Sequence, residues 1–213
     1  MTTQLSYLSA MGIPLWQRRE LQAAAPEAEQ LDWEPLRAKV ASCQACALHC
    51  SRTQTVFGVG NHAAKLMIIG EAPGFYEDQQ GEPFVGRAGH LLNAILGALH
   101  LDRTKVYIAN ILKCRPPQNR DPLPEEVRSC TPYLQRQIEL IQPKLLLALG
   151  RIAAHYLLES KQSLSELRGK VHHYGPGQTP LLVSYHPAYL LRNPRDKSKA
   201  WTDWQKALNL LSI

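Results

Sequence analysis

A chain of 213 residues with 45% hydrophobic content holds enough apolar material for the core of one α/β domain with an appendage. None of its apolar runs approaches the ~18 residues of a membrane-spanning helix, and the first twenty residues lack the basic start and unbroken apolar stretch of a secretory signal, so a cytoplasmic protein is expected. The net charge of +6 is uneven: residues 1–42 carry four Lys/Arg against five Asp/Glu, which leaves a cationic body suited to a polyanionic partner such as nucleic acid.

Residues 1–30 read as an arm and a linker, with an apolar start (Tyr7, Leu8, Met11, Ile13, Leu15, Trp16) running into an Ala/Pro/Glu segment. Residues 31–213 read as the main domain. A helix is predicted over about Trp33–Ser42, followed at once by Cys43-x-x-Cys46. Leu66–Gly70 is a short apolar strand ending at glycine, and helical spacing resumes over Gly89–Leu99. Val106–Asn110 is a second strand, followed by the rigid basic loop that begins Cys114-Arg-Pro-Pro and by a helix near Pro124–Ile141. Leu145–Gly150 and Leu181–Tyr185 complete the strands, with helices over Ile152–Leu158 and about Lys199–Leu211. Short all-apolar strands alternating with helices predict a four-stranded parallel sheet covered on both faces, an α/β three-layer αβα sandwich. In such sheets the loops at the carboxyl ends of the strands carry function. Here they are Gly70-Glu-Ala-Pro-Gly74, Asn110, Gly150-Arg151 and His186-Pro187.

Cys43, Cys46, Cys114 and Cys130 come from distant segments, and four such thiolates point to a metal or an iron–sulfur cluster. All-thiolate ligation suits zinc equally well, and spacing does not separate the two. Cys50 makes the count odd, which argues against a closed disulfide framework, and it reads as a bystander.

Gly70-Glu-Ala-Pro-Gly74, Gly81-Glu-Pro-Phe-Val-Gly-Arg-Ala-Gly89, Asn110-Ile-Leu-Lys-Cys-Arg-Pro-Pro117 and His186-Pro-Ala-Tyr-Leu-Leu-Arg192 together resemble the family 4 uracil-DNA glycosylases, over roughly Cys43 to Leu211. The resemblance implies excision of uracil from DNA as a monofunctional glycosylase, a monomer acting on a nucleotide flipped from the stack. Glu71 is then the carboxylate that stabilises positive charge on the sugar and orients water, and His186 stabilises the departing uracil. Asn110 reads the base, Phe84 stacks on it, and Glu77 with the backbone of the turn Glu71, Ala72 and Pro73 surrounds the pocket. The four cysteines are implied ligands of a [4Fe–4S] cluster that clamps the N-terminal segment to the loop after the second strand and positions Arg115 and Arg120. Leu190 is the implied apolar wedge that fills the gap left by the flipped base. Arg192, Arg195, Lys197 and Lys199 are the phosphate contacts beside it.

Singly, these residues have plainer readings. A carboxylate after a strand caps the next turn, His-Pro makes a turn, a phenylalanine fills a core and a buried asparagine bonds backbone. Their order along one chain is what points to a site. Two departures from the family stand out: Phe75-Tyr76 where acidic residues are usual, and His-Pro-Ala where His-Pro-Ser is commoner. A second, brief resemblance lies over Tyr7–Arg19, which is similar to the opening of the psi subunit of the bacterial clamp loader. It carries an alternative expectation of a replisome-tethered adaptor that docks through residues 1–20, with weakened or lost glycosylase activity.

Overall fold

A computed structural model describes residues 31–211. The expectations placed on the arm, and the boundary between arm and domain, lie outside the described residues. Along the chain come α1 (Trp33–Ala41), β1 (Val59–Gly60), β2 (Leu66–Gly70), α2 (Phe75–Gln80), α3 (Arg87–Ala98) and β3 (Tyr107–Asn110). They are followed by α4 (Pro124–Ile141), β4 (Leu145–Leu149), α5 (Arg151–Leu158), α6 (Leu164–Leu167), β5 (His172–Tyr174), β6 (Thr179–Ser184), α7 (Pro187–Arg192) and α8 (Lys197–Leu211). No helix among the described residues is long and apolar enough to cross a membrane.

The sheet runs β1-β3-β2-β4-β6-β5. Its four central strands are the ones the sequence predicts, all mutually parallel. Two edge strands extend this parallel centre to six, because β1 pairs antiparallel with β3 at one edge and β5 with β6 at the other. Both added strands are short and partly exposed, so neither carries the apolar run that marks a buried strand.

Side chains alternate across the sheet. Met67 and Ile69 of β2 join Leu146 and Ala148 of β4 in a core under α1, α4 and α5. Leu66 and Ile68 join Leu145 and Leu147 in a second core under α3 and α8, where Trp204 is buried. This double coverage is the physical cause of the continuous apolar strands.

Register sets the site. Gly70 pairs with Asn110, and Leu149 with Ser184, so the carboxyl ends of all four central strands finish on one edge. The turns after them converge there. The longest helix, α4, opens with Pro124 at its first turn, and Glu126 accepts from the Leu123 N–H at 2.8 Å, closing its amino end. That helix brings Cys130 back beside Cys114.

Candidate active site and cysteine cage

An open cavity of about 800 Å³ lies over the strand ends, and Glu71, Asn110 and His186 all line it. Ala72, Pro73, Glu77, Phe84 and Arg192 line it as well. Three turns distant in sequence thus share one space, as the strand-end argument requires.

Asn110 is the last residue of β3 and only 3% exposed. Its Oδ1 is buried without a hydrogen-bond partner among the described residues. An orphaned buried acceptor costs about 1–3 kcal/mol, so an atom in this position is primed for a donor from a ligand. Lys113 fixes the turn behind it: its fully buried ammonium donates to the Asn110 carbonyl at 3.0 Å and to Gln137 Oε1 at 2.6 Å. Burial pulls the Lys113 pKa down to about 8. Gly70 keeps the space open, since a Cβ there would come within 2.4 Å of Asn110 Oδ1 and 2.7 Å of Phe84 Cζ.

His186 caps α7. The Ala188 N–H donates to its Nδ1 at 3.1 Å. A backbone amide only donates, so Nδ1 is the acceptor and the neutral ring carries its proton on Nε2. Burial, with Arg192 nearby, pushes the His186 pKa down to about 4, and Glu77 pulls weakly the other way. The ring is therefore neutral at physiological pH. Phe84 lies beside it, ring centroids 5.5 Å apart and planes 28° from parallel.

Phe84 is held in an unusual conformation, φ 56°, which costs a non-glycine residue on the order of 1–3 kcal/mol. Its neighbours secure it from both sides. Glu77 Oε1 accepts from the Val85 and Gly86 N–H groups, each at 3.0 Å. The Arg103 guanidinium donates to the Phe84 carbonyl at 3.2 Å and to the Pro83 carbonyl at 2.5 Å. Gly89 is required beneath, because a Cβ would stand 1.7 Å from the Phe84 carbonyl oxygen. Glu77, expected to border the pocket, thus also locks the loop that carries the stacking ring.

Glu71 occupies the other side. Burial pushes its carboxyl up to about 7; Asp121 raises it further and Arg151 opposes the rise. Asp121 and Arg151 form an ion pair of their own at the cavity rim, 2.8 Å apart. Like the Arg103 clamp, this pair has no motif in the sequence to announce it.

Cys43, Cys46, Cys114 and Cys130 line a single small cavity against α4. All are free thiols, and burial pushes Cys130 up to about 12 and raises Cys46 and Cys114. Donors surround them: Arg52 Nη1 to Cys114 Sγ at 3.1 Å, Tyr133 Oη to Cys43 Sγ at 3.3 Å, and the Lys113 N–H to Cys130 Sγ at 3.2 Å. Cys50 is exposed and outside this cavity. Among the described residues no three His, Cys, Asp or Glu side chains are gathered tightly enough for one metal ion.

A model of the uracil DNA glycosylase superfamily matches residues 57–206, which contain every strand-end turn just described. The chain is 43% identical to the type-4 uracil-DNA glycosylase of Archaeoglobus fulgidus over 79% of its own length and 87% of that protein's. Identity is 44% to the type-4 enzyme of Thermotoga maritima, covering 73% of this chain and 81% of the relative. It is 41% to that of Sulfurisphaera tokodaii, covering 83% and 84%. This chain belongs to the uracil DNA glycosylase superfamily, among its type-4 members. The adaptor alternative draws no support from these relatives.

The segment after His186 forms the rim beyond the cavity. Leu190 is 1% exposed and lines an apolar cavity with Leu91 and Ile95 of α3 and Trp204 of α8. The segment after His186 folds as the helix α7, and position 190 falls on its inward face. Leu191, at the next position, is half-buried. Arg192 is exposed at the cavity edge, and Arg195 and Lys197 are exposed beyond it. Lys199 is engaged by Asp196 at 2.8 Å. Arg115 lies half-buried, donating to Asn119 Oδ1 at 2.8 Å, while Arg120 is paired with Glu126.

Proposed function

We propose that this protein hydrolyses the N-glycosidic bond of uracil in DNA, releasing free uracil and leaving an abasic site. The observation that carries the reading is the unpartnered Asn110 Oδ1, buried in the same cavity as a histidine whose free proton sits on Nε2. A flipped uracil presents an N3–H to Asn110 Oδ1 and its O4 to the Asn110 amide. Cytosine reverses both polarities and leaves the asparagine unpaired. Phe84 stacks on the base. Nε2–H of His186 donates to O2 as negative charge grows on the leaving uracil, and a neutral donor there hands over no proton. Glu71, as carboxylate, faces the cation forming on the sugar and orients the attacking water.

Cys43, Cys46, Cys114 and Cys130 are the residues that would hold a [4Fe–4S] cluster. Four thiols line one small cavity, and an all-thiolate donor set suits an iron–sulfur core. When bound, the cluster ties residues 43–46 to the loop after β3 and to α4. The active unit is residues 31–213, a monomer acting on uracil-containing DNA in the cytoplasm and its nucleoid. Docking of residues 1–20 on a clamp-loader protein is a separate expectation, and unchanged partners in a pull-down without those residues would remove it.

The test of the main reading is direct. Protein purified anaerobically with its cluster should convert a uracil-containing oligonucleotide to an alkali-labile abasic product, and leave the cytosine counterpart intact. Absence of that product from cluster-loaded protein would overturn it.

A further inference from the structure

Phe75 and Tyr76 open α2 directly after the Gly70–Gly74 turn, between Gly74 and Glu77, which both line the cavity. At 50% and 58% exposure they are the two most exposed large apolar side chains among the described residues. Their rings meet edge to face, centroids 5.4 Å apart at 81°. Arg115 reaches over Phe75, its guanidinium 5.1 Å from the ring centroid, while its Nε is fixed by Asn119. Tyr76 rests against Gly86, where an added Cβ would lie 3.3 Å from its ring. The next residue, Glu77, turns inward and lines the cavity together with Gly74, Pro116 and Asn119. The aromatic pair is therefore continuous with the cavity wall, rigidly backed, and joined to a cation.

Two exposed rings cost solvation without serving the core, and the cavity mechanism uses neither. An aromatic face next to a guanidinium is a surface for nucleobases, which stack on the ring while the phosphate meets the charge. We propose that Phe75, Tyr76 and Arg115 form a stacking platform for an unpaired base adjacent to the flipped nucleotide, and so favour single-stranded over double-stranded substrate. In a duplex the neighbouring base stays paired and stacked, and the platform has no partner. The inference rests on the glycosylase reading for the position of the strand.

The test separates the two. Binding of a fluorescent single strand bearing a central tetrahydrofuran abasic analogue needs no chemistry and reads the platform alone. F75A/Y76A should weaken that binding about fivefold or more, the range of one lost base–aromatic stack. Y76F should keep it. Removing single bases on either side of the analogue should, at one neighbouring position, cost wild type the same factor and cost F75A/Y76A nothing further. With uracil substrates, KM on the single strand should rise by that factor with kcat unchanged, and duplex kinetics should stay within twofold. Wild-type affinity matched by F75A/Y76A, or independent losses from base and side-chain removal, would overturn the platform. Loss of uracil release with the binding pattern intact would instead strike the glycosylase reading.

Discussion

The two sides of the cavity are built on opposite principles. Around the base, every group is immobile: Asn110 is held by β3 and Lys113, Phe84 by Glu77 and Arg103, and His186 by its cap on α7. Of the three that meet the base, Asn110 and Phe84 carry no charge and His186 is neutral above about 4. Around the sugar, Glu71 is half-buried at a pKa of about 7, balanced between the acid Asp121 and the base Arg151. Recognition is assigned to rigid, neutral hydrogen-bonding groups. Stabilisation of charge is assigned to one carboxyl that burial has brought to the edge of ionisation. The lesson is that selectivity and pH response reside on different walls of one pocket.

Glu71→Gln should break this contrast most severely. It removes the carboxylate assigned to the sugar cation, and kcat should fall by about 10²- to 10⁴-fold. The sign of the pH effect follows from ionisation: below its pKa the carboxyl is protonated and inactive, so wild-type kcat should rise with pH through about 7 and then level off. His186, neutral above about 4, contributes no second limb across pH 5–9. In Glu71→Gln that rise should vanish. The same substitution should stabilise the fold at pH 8 and not at pH 4, because a carboxyl whose folded pKa exceeds its unfolded one favours unfolding as pH climbs between the two values. Thermal melts at the two pH values check this.

His186→Ala comes next, a loss of about 10²- to 10³-fold in kcat, the usual effect of one transition-state donor. It should leave the midpoint near pH 7 in place. A flattened profile in His186→Ala would mean that the two walls do not act separately. Arg103→Ala should be milder. Freed of its clamp, Phe84 relaxes from its left-handed conformation, and KM should rise about tenfold with kcat changing less, within the range that small misplacements produce. Arg103→Lys, with its single ammonium, should recover part of that loss by spanning one of the two carbonyls.

These effects also mark what was readable in the chain. The convergence of Glu71, Asn110 and His186 was legible because each ends or follows an apolar strand, and a doubly covered parallel sheet brings those strand ends to one edge. The four cysteines were legible by residue type. Arg103 was not, because its function is to meet the Pro83 and Phe84 carbonyls, and backbone oxygens leave no pattern in sequence. Arg151 was visible only as part of a strand-end turn, and its pairing with Asp121 was not, because it is made through space across thirty positions. β1 and β5 were hidden because short, partly exposed edge strands lack an apolar run. The burial of Leu190 was not legible, because the register of α7 against α3 and α8, not the motif, decides which residue turns inward.

The smallest effects come from the rim pair and give the sharpest view of the sugar side. Asp121 raises the Glu71 pKa and Arg151 lowers it, so their removal should shift the midpoint of the pH–rate profile in opposite directions. Asp121→Asn should move it down, leaving more Glu71 ionised at neutral pH and raising the rate just below pH 7. Arg151→Ala should move it up and lower the rate there. Both side chains are exposed, so solvent screens them and neither change should alter the plateau rate at high pH more than severalfold. Added salt should shrink both shifts, since screened charges act over shorter distances. Burial, the largest cause of the raised pKa, is untouched by either substitution, so a midpoint above the ordinary carboxylate range should persist in both variants. A profile that moved the same way in each, or that collapsed to an ordinary carboxylate midpoint in Asp121→Asn, would show that the rim charges rather than desolvation set the ionisation of Glu71.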